Sequence, residues 1–227
     1  MTSLESTRNI PATEEAAAGA AAYSKLLLAF YDIQVMRFEI PFVFKCPLKK
    51  LTDLFDENLT DRHLDVGVGT GFFLDKCRFP VNNPTVHLMD LNRNSLEKTA
   101  ARIRRYSPVA HQWNVLEPVQ EALPVFKSIS ACNFLHCLPG TMADKGVLFK
   151  NMLPYLEDGG VFFGATVLGK DVEGGRLYRW FNSQYNKAAI FSNRKDSLAA
   201  LERVLASHFR QYSFEQCGAY GLFRGIK

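Results

Sequence analysis

Two aspartates and three glycines are the residues whose spacing first suggests chemistry. Asp65 precedes Gly67, Gly69 and Gly71, and Asp90 stands 19 residues after Gly71. Glycines directly after a strand let the backbone approach a bound molecule closely. A nucleotide pyrophosphate would need the spacing G-x-G-x-x-G or A to seat it on a helix N-terminus. Here the small position is filled by bulky Phe72, which disfavours phosphate. The plain alternative is a tight turn followed by a solvated strand end, and acids at the ends of two successive strands argue against it.

An acid at the end of the first strand can neutralise an ammonium group, and one at the end of the second can accept hydrogen bonds from both hydroxyls of a ribose. A ligand with a cation and a ribose but no phosphate is S-adenosylmethionine rather than NAD.

These residues need strands that end where they stand. His63 to Gly67 reads as a short strand running into the glycines, and Phe72 to Cys77 as the start of a helix. Thr85 to Asp90 is a second strand, followed by helical periodicity from Ser95 to Tyr106. Further strands fall at Ala110 to Trp113, at the apolar run Phe126 to Leu135, and at Val161 to Val167 after the turn Glu157 to Gly160. A helix is expected over Met142 to Leu156 and another over Ser197 to Ser207. Phe209 to Gln216 and Ala219 to Ile226 read as a closing hairpin about Gly218. The alternation of strands and helices predicts an α/β, doubly wound, Rossmann-like sheet. Before it, Ala22 to Phe55 reads as two or three short helices broken by Pro41 and Pro47. The expected division is a flexible or helical extension over 1–22, a helical cap over 23–59 and a cofactor-binding domain over 60–227.

Bulk properties limit the function classes. At 227 residues, one α/β domain fits and two enzymatic domains do not. With 47% hydrophobic residues but no apolar run near the roughly 20 residues that span a bilayer, no membrane segment is expected. A net charge of +4 without a basic track gives no support to nucleic-acid binding. Cys46, Cys77, Cys132, Cys137 and Cys217 show no C-x-x-C spacing, and buried free thiols in a reducing, cytoplasmic setting are expected. The N-terminus lacks the order of a signal peptide. No metal is expected, because no His, Cys or acid set stands at ligand spacing.

In order, HLDVGVGTGFFL, LMDLNRNSLEKTAARI, WNVLEP, ACNFLHCLPG and YLEDGGVFFGATVLG resemble the successive motifs of class I S-adenosylmethionine-dependent methyltransferases. Coverage runs from about residue 60 to the C-terminus, with a narrower likeness to small-molecule enzymes of fungal and microbial natural-product pathways. The resemblance implies a seven-stranded sheet with an antiparallel last strand. It also implies that Asp65, Gly67, Gly69, Gly71, Asp90 and Leu91 bind the cofactor, and that Asn114 and Val115 flank its adenine. Asn114 stands where the family more often has Asp, and its side-chain oxygen can still meet the adenine amino group. Asn133 and Leu135 match positions whose carbonyls face the methionine ammonium.

His136 directly follows the fourth strand and is the candidate base for a phenol or enol, the competing role being a structural histidine that orders the loop before Pro139. His63, His87 and His111 read as packing or capping residues. The 169–196 connection is long enough for a lid, and Tyr178, Trp180, Phe181 and Tyr185 could wall a planar acceptor or complete the core. In the cap, Tyr31 is the candidate for the methionine carboxylate, with Arg37 or Lys45 as a charged substitute. The expected activity is methyl transfer to a hydroxyl of a small aromatic or polyketide-like secondary metabolite, by a monomer or homodimer. Nitrogen or carbon methylation, a cyclase or pericyclic catalyst using the bound cofactor, and a non-methylating partner subunit are the alternatives.

Overall fold

The computed structural model describes residues 32–120, 122–172 and 174–227. Chain order begins with a π-helical segment, Asp32–Val43, that contains Pro41. Proline has no N–H for an α-helical ladder, and the chain here closes a wider turn, with Phe44 N–H donating to Glu39 O at 2.8 Å. The helix α1, Leu48–Asn58, starts immediately after Pro47 and buries Leu51 and Phe55. Among the described residues, which begin at Asp32, the expected short helices are one π-helical segment and α1.

Seven strands follow: β1 Arg62–Val66, β2 Thr85–Asp90, β3 Val109–Gln112, β4 Phe126–Cys132, β5 Leu156–Val167, β6 Gln211–Cys217 and β7 Tyr220–Ile226. They form one sheet in the order β3-β2-β1-β4-β5-β7-β6. Pairings from β3 to β5 are parallel, whereas β7 is antiparallel to both β5 and β6. The expected doubly wound sheet with an antiparallel last strand is observed, with β7 inserted between β5 and the edge strand β6.

Side chains alternate across this sheet with period two. Phe162 packs against Phe149, Phe209 and Phe223 on one face, and its neighbour Phe163 packs against Phe55 on the other. Each face is therefore sealed by its own apolar cluster, the second including the π-helical segment and α1.

The helices are α2 Phe72–Lys76, α3 Arg93–Arg102, α4 Met142–Lys145, α5 Val147–Met152, α6 Arg176–Lys187 and α7 Leu198–His208. Asn92 caps α3 by accepting from Asn94 N–H, and Ser197 caps α7 by accepting from Ala200 N–H. The single helix expected over Met142 to Leu156 is divided at Gly146 and ends in a 3-10 turn containing Pro154. The expected turn from Glu157 to Gly160 lies inside β5, where the pairing with β4 shifts register. β4 stops at Cys132, short of the expected Leu135, because Asn133 takes a left-handed φ of 55° and Leu135–Cys137 forms a 3-10 turn.

Between β5 and α7 the 169–196 connection carries α6. Its two ends meet: Asp196 O accepts from Gly169 N–H at 2.9 Å and Lys170 N–H at 3.0 Å, and Asn193 Nδ2 donates to Val167 O. No helix among the described residues is long and apolar enough to cross a membrane.

Candidate active site

At the carboxyl ends of β1, β2 and β4 lies a cavity of about 1020 Å³, counting the part open to solvent. Asp65, Gly67, Gly69, Gly71, Asp90, Leu91, Asn114, Val115 and Asn133 all line it. Nine residues drawn from separate parts of the sequence thus meet where open α/β sheets bind ligands.

The glycine loop owes its shape to what surrounds it. All three glycines have positive φ. A Cβ on Gly67 would lie 2.2 Å from the Phe134 ring, whereas one on Gly69 would meet nothing within 4 Å. Gly67 therefore lets the β4 loop close over β1, and Gly69 leaves a bare backbone facing open space. Gly67 N–H donates to Met89 O at 2.8 Å, which ties the loop to β2.

The two acids are differently held. Asp65 is buried, and Ser130 Oγ donates to its Oδ1 at 2.5 Å. Burial first, then the Asp90 charge, push its carboxyl up to about 7 against the Ser130 bond. Asp90 Oδ1 accepts from Asn92 N–H at 2.8 Å, and the nearby backbone N–H groups of Gly69, Val68 and Leu91 also favour its charged form, yet burial still pushes it up to about 6. Among the described residues no lysine or arginine forms an ion pair with either. Two desolvated carboxylates without a cation fit a ligand that brings its own positive charge. The Asn133 side chain points the same way, because its Nδ2 and Oδ1 are both buried without a partner. Such orphaned groups cost about 1–3 kcal/mol each unless a ligand or water meets them.

Asn114 is partly committed to its own turn: Oδ1 accepts from Leu116 N–H at 3.1 Å and Nδ2 donates to Glu117. An adenine amino group would have to use the second lone pair of Oδ1. Met36, Phe55, Ser95, Trp113 and Cys137 also line the cavity and were not foreseen. They come from elements remote in sequence, and nothing in their local spacing marks them.

Other expected site residues are not brought to the cavity. Leu135 is not among the lining residues: its side chain is buried in the core and its carbonyl accepts from Leu138 N–H at 3.1 Å. His136 is also absent from the cavity wall: its buried Nδ1 accepts from Val167 N–H at 3.1 Å, and its ring packs on Phe191. The neutral ring therefore carries its hydrogen on Nε2, and burial with the nearby Lys145 charge holds its pKa down to about 3. Its lone pair is engaged by the backbone, and the ring as placed presents no base to the cavity.

None of the four lid aromatics lines the cavity. Tyr178 is a core residue whose hydroxyl donates to Leu168 O, and Trp180 is 57% exposed. Phe181 packs on Trp180 and Tyr185, and the Tyr185 hydroxyl donates to Glu39 of the π-helical segment. The amphipathic helix α6 spends these side chains on packing and on its exposed face. Tyr31 lies outside the described residues, and Arg37 and Lys45 are exposed. No group of three or more potential metal ligands occurs among the described residues.

Residues 64–162 match the family model of a methyltransferase domain. The chain is 36% identical over 206 residues to demethylluteothin O-methyltransferase of Streptomyces thioluteus, covering 91% of this chain and 90% of that one. It is 34% identical to the physcion biosynthesis cluster O-methyltransferase of Aspergillus chevalieri, covering 92% and 95%. Among solved structures, human N-acetylserotonin methyltransferase in complex with S-adenosylmethionine superposes with a TM-score of 0.63 at 15% identity, covering 96% of this chain and 60% of the longer human one. A parallel sheet closed by an antiparallel β7, with two acids flanking a glycine loop, defines a nucleoside-binding transferase fold. The chain belongs to the class I S-adenosylmethionine-dependent methyltransferases, and S-adenosylmethionine is its cofactor.

Proposed function

We propose that this enzyme transfers a methyl group from S-adenosylmethionine to a hydroxyl of a small secondary metabolite. What carries the reading is that relatives named as O-methyltransferases of natural products align along about nine-tenths of both chains. In this reading Asp65 meets the methionine ammonium, Asp90 and Leu91 hold the ribose edge, and Asn114 and Val115 flank the adenine. Gly67, Gly69 and Gly71 let the loop backbone lie against the cofactor.

The bound cofactor supplies an electrophilic methyl group on a sulfonium. The chain's own work is then to align the acceptor and exclude water. Met36, Phe134, Cys137 and Leu138 give the cavity lining an apolar part, which suits a planar, weakly polar acceptor. Asn133 is a polar group in the same lining.

The test is to incubate the enzyme and methyl-labelled cofactor with a metabolite extract of the parent strain lacking this chain. The expected result is label in one small molecule heavier by a single CH₂ and absent without enzyme. Cofactor binding without label transfer to any component would overturn the reading.

A further inference from the structure

β1 and β4 are central strands covered on both faces, where apolar side chains are the rule. One face nevertheless carries a line of polar groups. The register sets His63 beside Ser128 and Asp65 beside Ser130. His63 Nδ1 lies 2.8 Å from Ser128 Oγ and His63 Nε2 lies 3.0 Å from Ser130 Oγ, while Ser130 Oγ donates to Asp65 Oδ1. His63, Ser128 and Ser130 are all fully buried.

The direction of each bond follows from counting hydrogens. When Asp65 is ionised, Ser130 gives it its one hydroxyl hydrogen, so the Ser130 oxygen accepts from His63 Nε2–H. Neutral His63 then has its lone pair on Nδ1, which accepts from the Ser128 hydroxyl. Burial holds the imidazole uncharged, its pKa down to about 3. The rings facing it, Phe79 and Phe163, bring no charge. The titratable groups facing Asp65 are Asp90 from β2 and Cys132 from β4, and the side chain that donates to its carboxylate is Ser130. A sheet core needing only to pack would be served by valine or alanine here, without the cost of desolvating three polar groups.

We propose that His63 and Ser130 are positioning residues for cofactor binding: His63 Nε2–H fixes the Ser130 hydroxyl, and that hydroxyl keeps the Asp65 carboxylate oriented and charged toward the cofactor ammonium. This rests on the reading that Asp65 meets the ammonium. His63 touches neither cofactor nor acceptor and acts only through Ser130.

The experiment is calorimetric binding of S-adenosylhomocysteine, which retains the ammonium, across a pH series, with thermal unfolding of each variant as control. Wild-type affinity is expected to rise with pH and level off once Asp65 is ionised. Ser130→Ala and His63→Leu should raise the midpoint, weakening binding at neutral pH about tenfold for each pH unit of displacement and converging on wild type in alkaline buffer. His63→Gln, which returns an N–H toward Ser130, should restore the wild-type midpoint. Unchanged midpoints in Ser130→Ala and His63→Leu, or a loss of affinity equal at every pH, would overturn the inference. Asp65→Asn separates the two levels: undiminished affinity in that variant overturns the ammonium reading itself.

Discussion

His136 Nδ1 accepts the backbone N–H of Val167 at 3.1 Å, joining the loop after β4 to the end of β5. The same residue's carbonyl accepts from Ser192 N–H at 2.7 Å. His136 thus pins a stretch that contributes Phe134, Cys137, Leu138 and Pro139 to the cavity. His136→Leu should strand the Val167 N–H and cost about 1–3 kcal/mol in urea unfolding. Methyl transfer should keep the wild-type shape of its pH profile. A loss of about 10²–10⁴ in rate at unchanged stability would instead mark His136 as the base.

Burial of Asp65 makes stability depend on pH in a direction opposite to the usual carboxylate. Its folded pKa of about 7 lies above the ordinary 3.8, so the folded chain holds the proton more tightly and free-enzyme stability falls as pH rises between those values. Asp65→Asn should therefore unfold at a higher temperature than wild type in mildly alkaline buffer, while losing cofactor affinity. The thermal shift produced by S-adenosylhomocysteine should be larger in alkaline than in acidic buffer. A shift independent of pH would contradict both expectations.

His63 and His136 act in the other sense. Their folded pKa values, each about 3, lie below the ordinary 6.5, so their neutral burial is fully compatible with folding above that value and opposes it as pH falls through it. Acid unfolding should begin in the range where an unfolded histidine charges. His63→Gln should move the midpoint of a fluorescence-monitored acid titration to lower pH.

Gly67 and Phe134 form a matched pair across the β1–β4 junction. Gly67→Ala, with its Cβ 2.2 Å from the ring, should lower both the melting temperature and affinity for S-adenosylhomocysteine. Gly67→Ala combined with Phe134→Ala removes the collision and should recover part of the stability, though the positive φ keeps some strain. Gly69→Ala meets no protein atom, so it should affect binding more than its thermal stability suggests. Calorimetry and thermal unfolding on the three variants would show the contrast.

Lys145 and Asp196 are both completely buried and bonded at 2.5 Å, with Lys145 Nζ also donating to Ser192 O. Asp196 closes the stem of the 169–196 connection through its carbonyl. Lys145→Met leaves a buried carboxylate alone and should cost about 3–5 kcal/mol, whereas the double change Lys145→Met with Asp196→Leu should be considerably milder. Denaturant unfolding of both variants measures the difference.

Much of the frame was legible in the residues. Short apolar runs bounded by turn and helix signals placed the strands within a few residues, and Gly67, Gly69 and Gly71 with Asp65 and Asp90 marked the cavity because backbone conformation and charge are local properties. Boundaries failed where a single residue redirected the chain: Asn133 ended β4 early through its left-handed φ, and Gly146 and Pro154 divided one expected helix.

Side-chain destinations were another matter. A histidine one turn beyond a strand has the same local signature whether it faces a cavity or a neighbouring strand, and only the approach of Val167 sent His136 to the second. The amphipathic period of α6 likewise says which aromatics share a face, not what that face meets, and Tyr178 and Tyr185 were claimed by Leu168 and Glu39. The chain by itself determined the order of elements, the glycine loop and the two acids, since these depend on backbone freedom and on charge at strand ends. Only the tertiary structure decided that His63, Ser130 and Asp65 form one hydrogen-bonded line, because that requires the register of β1 against β4, a contact 65 residues apart.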